Sequence, residues 1–306
     1  MALSSTNILV VGATGKQGGA VVQAILNLRS TRLQILALTR NAKSETAQSL
    51  VKSSPGYIEL IQGDVTEPGP IFESQPEASI RSMFVVTSPG KIDEEKQAIP
   101  LIDAAVEHGV KHIVFSSVER GGDEKSWDNP TTIKHFYQKH NIEHYLRDKA
   151  AASDGTFTWT ILRPTAFLDN MNPGIFCSVF TSMWASALKP ETKLQLISVH
   201  DIGTFAAQAL TSPEEWSGKA VGLAGTELTL TEAKDRFKSV TNKDLPECWT
   251  FVGSTMLWAI KEVGAMFAFF ENEGYHVDIE ALRKKESSLQ DFETWLKESS
   301  KWRNGT

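Results

Sequence analysis

Asn7-Ile8-Leu9-Val10-Val11 runs into Gly12-Ala13-Thr14-Gly15-Lys16-Gln17-Gly18-Gly19 and then into Ala20-Val21-Val22-Gln23-Ala24-Ile25-Leu26. An apolar run, a glycine-rich turn and an amphipathic segment predict strand, turn and helix in that order. Gly12, Gly15 and Gly18 let backbone approach backbone. They leave bare N–H groups at a helix N-terminus, where partial positive charge favours a phosphate. Thr14, Lys16 and Gln17 stand among these glycines. A glycine triplet set between a strand and a helix is the arrangement of a dinucleotide-binding turn. A tight strand–helix turn without a ligand is the competing reading.

The alternation continues outward from this turn. Residues 33–39, 57–61, 82–87, 112–116 and 157–162 read as further strands. Residues 44–52, 93–108 and 131–148 read as helices, the second stopped by Gly109 and the third starting just after Pro130. Strand–helix alternation predicts an α/β fold with a doubly wound parallel sheet, whose ligands sit at the carboxyl ends of the strands. From about residue 165 the pattern loosens and becomes rich in Trp and Phe. The expected division is a nucleotide-binding domain over 1–164 and a smaller α/β substrate-side lobe over 165–306, with some segments returning to the sheet.

The 306 residues are 41% hydrophobic and 22% charged, as in a globular protein, and carry a net charge of −6 without a basic run. That argues against a nucleic-acid footprint. Cys177 and Cys248 are the two cysteines, in no C-x-x-C pair, which fits a reducing compartment and speaks against a disulfide framework or a metal site. No signal peptide fits before the first strand, and the apolar run 263–270 is too short to span a bilayer, so a cytoplasmic, membrane-free protein is expected.

The residues after each strand carry the functional argument. Arg40, with Lys43 close behind, follows the second strand. An acidic residue there holds the ribose 2′-hydroxyl of NAD, whereas an Arg suits a 2′-phosphate, so NADP(H) is the expected cofactor. Asp64 and Val65 follow the third strand. They would hold and cover an adenine, or Asp64 would cap a turn. Thr87 and Ser88 follow the fourth strand and would line the middle of the cofactor, and Ser116 and Ser117 follow the fifth, near the nicotinamide. On the helix from 131, Lys139 is preceded four residues earlier by His135, which shares its face. A His can donate a proton near neutral pH, or be a half-buried helix residue without a chemical role. Tyr137 falls on the opposite side of the helix.

At this point the chain resembles the NmrA-like family of atypical short-chain dehydrogenases. The resemblance rests on the Gly12–Gly19 turn, Arg40-Asn41, Gln62-Gly63-Asp64, Val86-Thr87, Lys96-Gln97 and Phe115-Ser116-Ser117-Val118-Glu119. It continues through His135-Phe136-x-x-Lys139-x-x-Ile142-Glu143, Leu162-Arg163-Pro164-Thr165-Ala166-Phe167, Val199-His200-Asp201 and Phe269-Phe270-Glu271-x-x-Gly274-Tyr275. It implies an NADP(H)-binding Rossmann domain with a small C-terminal lobe. It also implies cofactor contacts from the glycine turn, Arg40, Lys96 and Lys139, and nicotinamide-side positions at Pro164, Thr165 and Phe167. In short-chain dehydrogenases a Tyr stands four before the Lys. His135 replaces it here, and members of this family commonly lack the Tyr.

Two functions follow from the resemblance. The first is an NADPH-dependent reductase of a bulky hydrophobic carbonyl, enone or iminium, of the kind found in fungal secondary metabolism and sometimes coupled to cyclisation. Lys139, His135 and Ser117 are then the candidate catalytic residues. The second is a non-catalytic redox sensor that binds NADP(H) and regulates a protein partner such as a transcription factor. The aromatic residues 167, 176, 180, 184, 249, 258, 267, 269 and 270 suit an apolar pocket, although most are expected in the core.

Overall fold

A computed structural model describes residues 6–30 and 32–304. The strands are β1 (Thr6–Val10), β2 (Leu33–Thr39), β3 (Ile58–Gln62), β4 (Ile80–Val86), β5 (His112–Ser116), β6 (Thr158–Pro164), β7 (Ala166–Phe167), β8 (Leu194–Ile197), β9 (Lys219–Leu223) and β10 (Thr226–Leu228). Between the first six strands lie α1 (Lys16–Asn27), α2 (Glu45–Ser53), α3 (Gly69–Glu73), α4 (Glu94–Glu107), α5 (Lys125–Asp128) and α6 (Lys134–Ala151). The later helices are α7 (Ile175–Ala187), α8 (Val199–Thr211), α9 (Pro213–Trp216), α10 (Leu230–Thr241), α11 (Thr250–Ala259), α12 (Lys261–Asn272), α13 (Ile279–Lys285) and α14 (Phe292–Glu298).

Seven strands form one sheet in the order β3-β2-β1-β4-β5-β6-β9. The pairs from β3 across to β6 are all parallel, with Val10 opposite Ala37 on one side and Phe84 on the other. The chain reverses its winding direction between β1 and β4, and in open α/β sheets such a switch point is where ligands bind, at the strand carboxyl ends. This is a Rossmann-like α/β sheet, as the alternation predicts. A second sheet has the order β10-β8-β7, with β8 antiparallel to β10 and parallel to β7.

The described residues divide into two compact units. The first holds the chain through Ser117, then Gln138–Leu162 and Ile202–Val221; the second holds Val118–Tyr137, Arg163–Asp201 and Gly222 onward. In the first unit, α1 buries Gly18, Val21, Val22 and Ile25, the i, i+3, i+4, i+7 stripe that makes it a helix on a sheet. Ile8, Leu9, Val10, Leu36, Phe84 and Val114 are fully buried. Such short apolar runs, covered on both faces, are what a central parallel strand requires. The second unit has its own core, in which Phe180, Trp184, Phe237, Phe267, Phe292 and Trp295 are buried. Each such side chain contributes about 1.5–3 kcal/mol. No helix among the described residues is long and apolar enough to cross a membrane.

Several element ends shift by a residue or more from the sequence reading, and one of these shifts has a visible local cause. The long helix starts at Lys134, not just after Pro130. Thr131 sits at φ +59, its amide donates to Asn129 Oδ1 at 3.2 Å, and its hydroxyl accepts the Ile133 amide at 3.2 Å. Local side-chain bonds of this kind compete with helix and hold a turn until Ile133.

Candidate functional site

In the first unit the glycine turn has the geometry its spacing implies. Gly12 adopts φ +64, and its backbone oxygen accepts the Gly15 amide at 2.8 Å. A Cβ at Gly18 would lie 2.2 Å from that same oxygen, so the turn closes only around a bare backbone. Gly15 is the N-cap of α1 and supplies no side-chain cap. The open helix N-terminus beside exposed Thr14 and Lys16 therefore fits a diphosphate, and a dinucleotide is the ligand these residues suit.

Two sequence-predicted residues meet between the first turn of α1 and the end of β5: Ser116 donates to Gln17 Oε1 at 2.6 Å. Arg40 and Lys43 are exposed at the end of β2, and Lys96 is exposed on α4. Asp64 is also exposed, and its Oδ1 accepts the Thr66 amide at 2.9 Å and the Thr66 hydroxyl at 2.8 Å. These bonds, assisted by the Arg40 charge, hold its carboxyl below the usual range. Its turn-capping role is thus realised, while Oδ2 takes no part in those bonds. Val65 beside it is half-buried. Ser88 is tied to α4 through its amide and carbonyl, both bonded to the Gln97 side chain.

Lys139 is the electrostatic centre of this unit. Its ammonium lies 2.8 Å from Glu94 Oε2, 2.8 Å from Thr87 Oγ1 and 3.4 Å from the Ser116 carbonyl, over the Phe115 ring. The Lys side chain is 9% exposed and the Glu side chain 0%. Thr87 also donates to Glu94 Oε2. Glu94 Oε1 is buried without a hydrogen-bond partner among the described residues. The sequence reading missed Glu94. As the first residue of α4 it looks like an ordinary helix-start acid, and only the tertiary structure turns it onto Lys139.

Ser117 is less available than its position suggests. Its hydroxyl donates to Glu143, a fully buried carboxylate one turn beyond Lys139 on α6. Glu143 stands in the family motif, yet nothing in the pattern couples it to Ser117.

In the second unit, His135 is half-buried, and its Nδ1 lies 2.6 Å from Glu262 Oε1 in the first turn of α12. The same oxygen accepts the His135 amide at 3.0 Å. Pro164 and Thr165 are buried, Thr165 bonding Leu223 O through both amide and hydroxyl. Phe167 is half-buried in β7. His200 Nδ1 lies 3.2 Å from Asp201 Oδ1, and Asp201 Oδ2 accepts the Gln290 amide at 3.0 Å. Of the aromatic residues considered for a pocket, Phe180, Trp184, Phe267, Phe269 and Phe270 are core, whereas Phe176, Trp249 and Trp258 are exposed.

Comparison with known proteins agrees with the fold. The sequence profile of the NmrA-like family matches residues 4–296. An NmrA-like family domain-containing protein of Dictyostelium discoideum is 25% identical over 306 residues, covering 96% of this chain and 97% of that protein. The NmrA-like family domain-containing oxidoreductase FrzB of a Cladobotryum species is 24% identical, covering 87% and 84%. The fold is similar to that of NmrA, a negative transcriptional regulator solved in complex with NADP, with a TM-score of 0.75, 18% identity and 99% of each chain covered.

Proposed function

The chain belongs to the NmrA-like family, and from that premise we propose that it is an NADPH-dependent reductase of a bulky hydrophobic carbonyl, enone or iminium. The observation that carries this reading is Lys139. A buried ammonium, pinned to Glu94 and Thr87 beside the carbonyl of Ser116, is the group that would grip the nicotinamide ribose and hold the reacting ring still. The cofactor would supply a hydride when bound.

The roles of the other residues complete the proposal. Gly12, Gly15, Gly18 and the α1 N-terminus would take the diphosphate, with Thr14, Lys16 and Gln17 at its edge. Arg40 and Lys43 would pair with a 2′-phosphate, and Asp64 and Val65 would flank the adenine. Thr87, Ser88 and Ser116 would border the middle of the cofactor, Lys96 would contact it from α4, and Pro164, Thr165 and Phe167 are the nicotinamide-side candidates. His135 is the candidate proton donor. Ser117 supports Glu143 and is a weaker candidate for chemistry. The relative named as an oxidoreductase supports turnover. Coupling of reduction to cyclisation in secondary metabolism belongs to the same proposal.

A redox sensor is the second reading. It is favoured by the absence of a Tyr four before Lys139 and by the structural neighbour named as a transcriptional regulator. A sensor must bind its partner differently with and without cofactor.

Titration with NADPH and NADH, then single-turnover mixing with carbonyl, enone and iminium acceptors, tests the choice. Loss of the 340 nm nicotinamide band with at least one acceptor is expected. Tight NADPH binding with no oxidation across the panel would reject the reductase and leave the sensor.

A further inference from the structure

The reductase reading leaves one chemical gap, because His135 stands where short-chain dehydrogenases carry a proton-donating Tyr. The residue that completes this position is Glu262, which no motif in the sequence marks. One oxygen of its carboxylate accepts both the ring Nδ1–H and the backbone N–H of His135, at 2.6 and 3.0 Å. Two bonds from a single atom fix the imidazole plane relative to the start of α6. Burial pushes the Glu262 carboxyl up, but the bonds from His135 and the charges of His135 and Lys134 outweigh it and hold the group below the usual range. An ionised carboxylate only accepts, so Nδ1 carries the ring proton in that bond. Nε2 then points away from Glu262 without a hydrogen-bond partner among the described residues. The side chain keeps 20% of its surface exposed, so the ring is not sealed from solvent.

We propose that Glu262 is the positioning residue that fixes His135 in one tautomer and presents Nε2 as the proton donor of the reductase. The proposal rests on the reductase reading for its chemistry. Hydride addition to a carbonyl carbon leaves an electron pair on oxygen. Nε2 takes a proton from solvent, giving the imidazolium, and that proton moves to the oxygen, giving an alcohol. His135 is left neutral, with Nδ1–H still on Glu262, and regains its Nε2 proton from water. NADPH is the reductant and is oxidised to NADP+. The logic is that of a carboxylate orienting a catalytic imidazole, in which the acid holds the tautomer and is not itself protonated. Trp258 and Ile260, both exposed and within four residues of Glu262, give the same segment an apolar character suited to a hydrophobic substrate.

A plain helix-capping role for Glu262 would use the backbone bond alone, and the two roles separate experimentally. Two-bond 1H–15N spectra of the intact protein report the His135 tautomer whether or not a substrate is known. In its neutral form the wild-type ring should show Nδ1–H with a bare Nε2, the nitrogen that takes up and passes on the catalytic proton, and Glu262→Ala should lose that preference. With an aromatic ketone and NADPH, Glu262→Ala and His135→Ala should each lower kcat about 10²-fold or more, the lower end of a general acid's contribution. KM and the NADPH Kd should hold within about twofold. The double variant should be no worse than His135→Ala, because the residues act as one unit. Glu262→Gln keeps an acceptor oxygen and should retain the tautomer while losing part of the rate. A bare Nδ1 in wild type, an unchanged tautomer in Glu262→Ala, or losses that multiply in the double variant would overturn the proposal. A wild type that binds NADPH yet reduces nothing would reject the reductase and the proton-delivery step together. A wild type that turns over while Glu262→Ala matches it would reject Glu262 alone.

Discussion

The buried pair of Lys139 and Glu94 makes a quantitative test of the first unit. Replacing Lys139 with Met leaves an uncompensated carboxylate that is 0% exposed, and replacing Glu94 with Leu leaves an ammonium whose side chain is 9% exposed. Breaking a buried pair from one side costs about 3–5 kcal/mol, because the remaining charge has lost both water and its partner. Lys139 also withdraws its donors from Thr87 Oγ1 and the Ser116 carbonyl, which adds to the loss. The double variant Glu94→Leu/Lys139→Met removes both charges. It should return to within about 1 kcal/mol of wild type, since swapping a buried pair for apolar side chains is commonly neutral or stabilising. The orphaned Glu94 Oε1 pushes the same way, since the pair is not fully satisfied even in the native protein. Urea unfolding followed by circular dichroism and tryptophan fluorescence gives the cycle, with an expected coupling of about 3 kcal/mol or more. All three variants should bind NADPH poorly, so the double variant separates stability, recovered, from cofactor binding, not recovered. Single variants each within about 1 kcal/mol of wild type, and additive, would refute a tight buried pair. A double variant that binds NADPH like wild type would refute the assignment of Lys139 to the cofactor.

Arg40→Ala should weaken NADPH by about 10- to 100-fold, the worth of charge-assisted bonds to a phosphate, and leave NADH nearly unchanged; equal losses in fluorescence titrations of both would remove Arg40 from the 2′-phosphate site. His112 is buried between Thr158 and Thr160, and burial depresses its pKa to about 4 from 6.5. The folded state therefore binds fewer protons than the unfolded state, and stability complete above pH 6.5 is lost as pH falls toward 4, by about 3 kcal/mol at about 1.4 kcal/mol per unit. His112→Asn should flatten that limb in urea midpoints measured across the range, and an unchanged limb would show that His112 does not carry it.

The alternation of strands and helices was legible because each element is specified within its own residues. Leu33–Thr39 and His112–Ser116 are apolar runs bounded by turn chemistry, and both strands fall where the pattern places them. The glycine turn was legible for the same reason, since its backbone demands are local. The start of α6 was not, because the Asn129 and Thr131 side chains divert the backbone at residues that look permissive for helix.

The partners of the candidate catalytic side chains were not legible. Ser117 meets Glu143 at a separation of 26 residues, Thr87 meets Lys139 at 52, and His135 meets Glu262 at 127. The sequence by itself determined the parallel sheet, the glycine turn and the residues offered at the strand ends, because periodicity and glycine geometry act over a few residues. Only the tertiary structure decided which offers remain open. Ser117 is committed to Glu143, Lys139 is braced by Glu94, and His135 has its Nδ1 on Glu262 and its Nε2 to spare. Those outcomes depend on desolvated charges finding partners across the fold, and a carboxylate at a helix start reads the same in sequence whether it faces water or a buried ammonium.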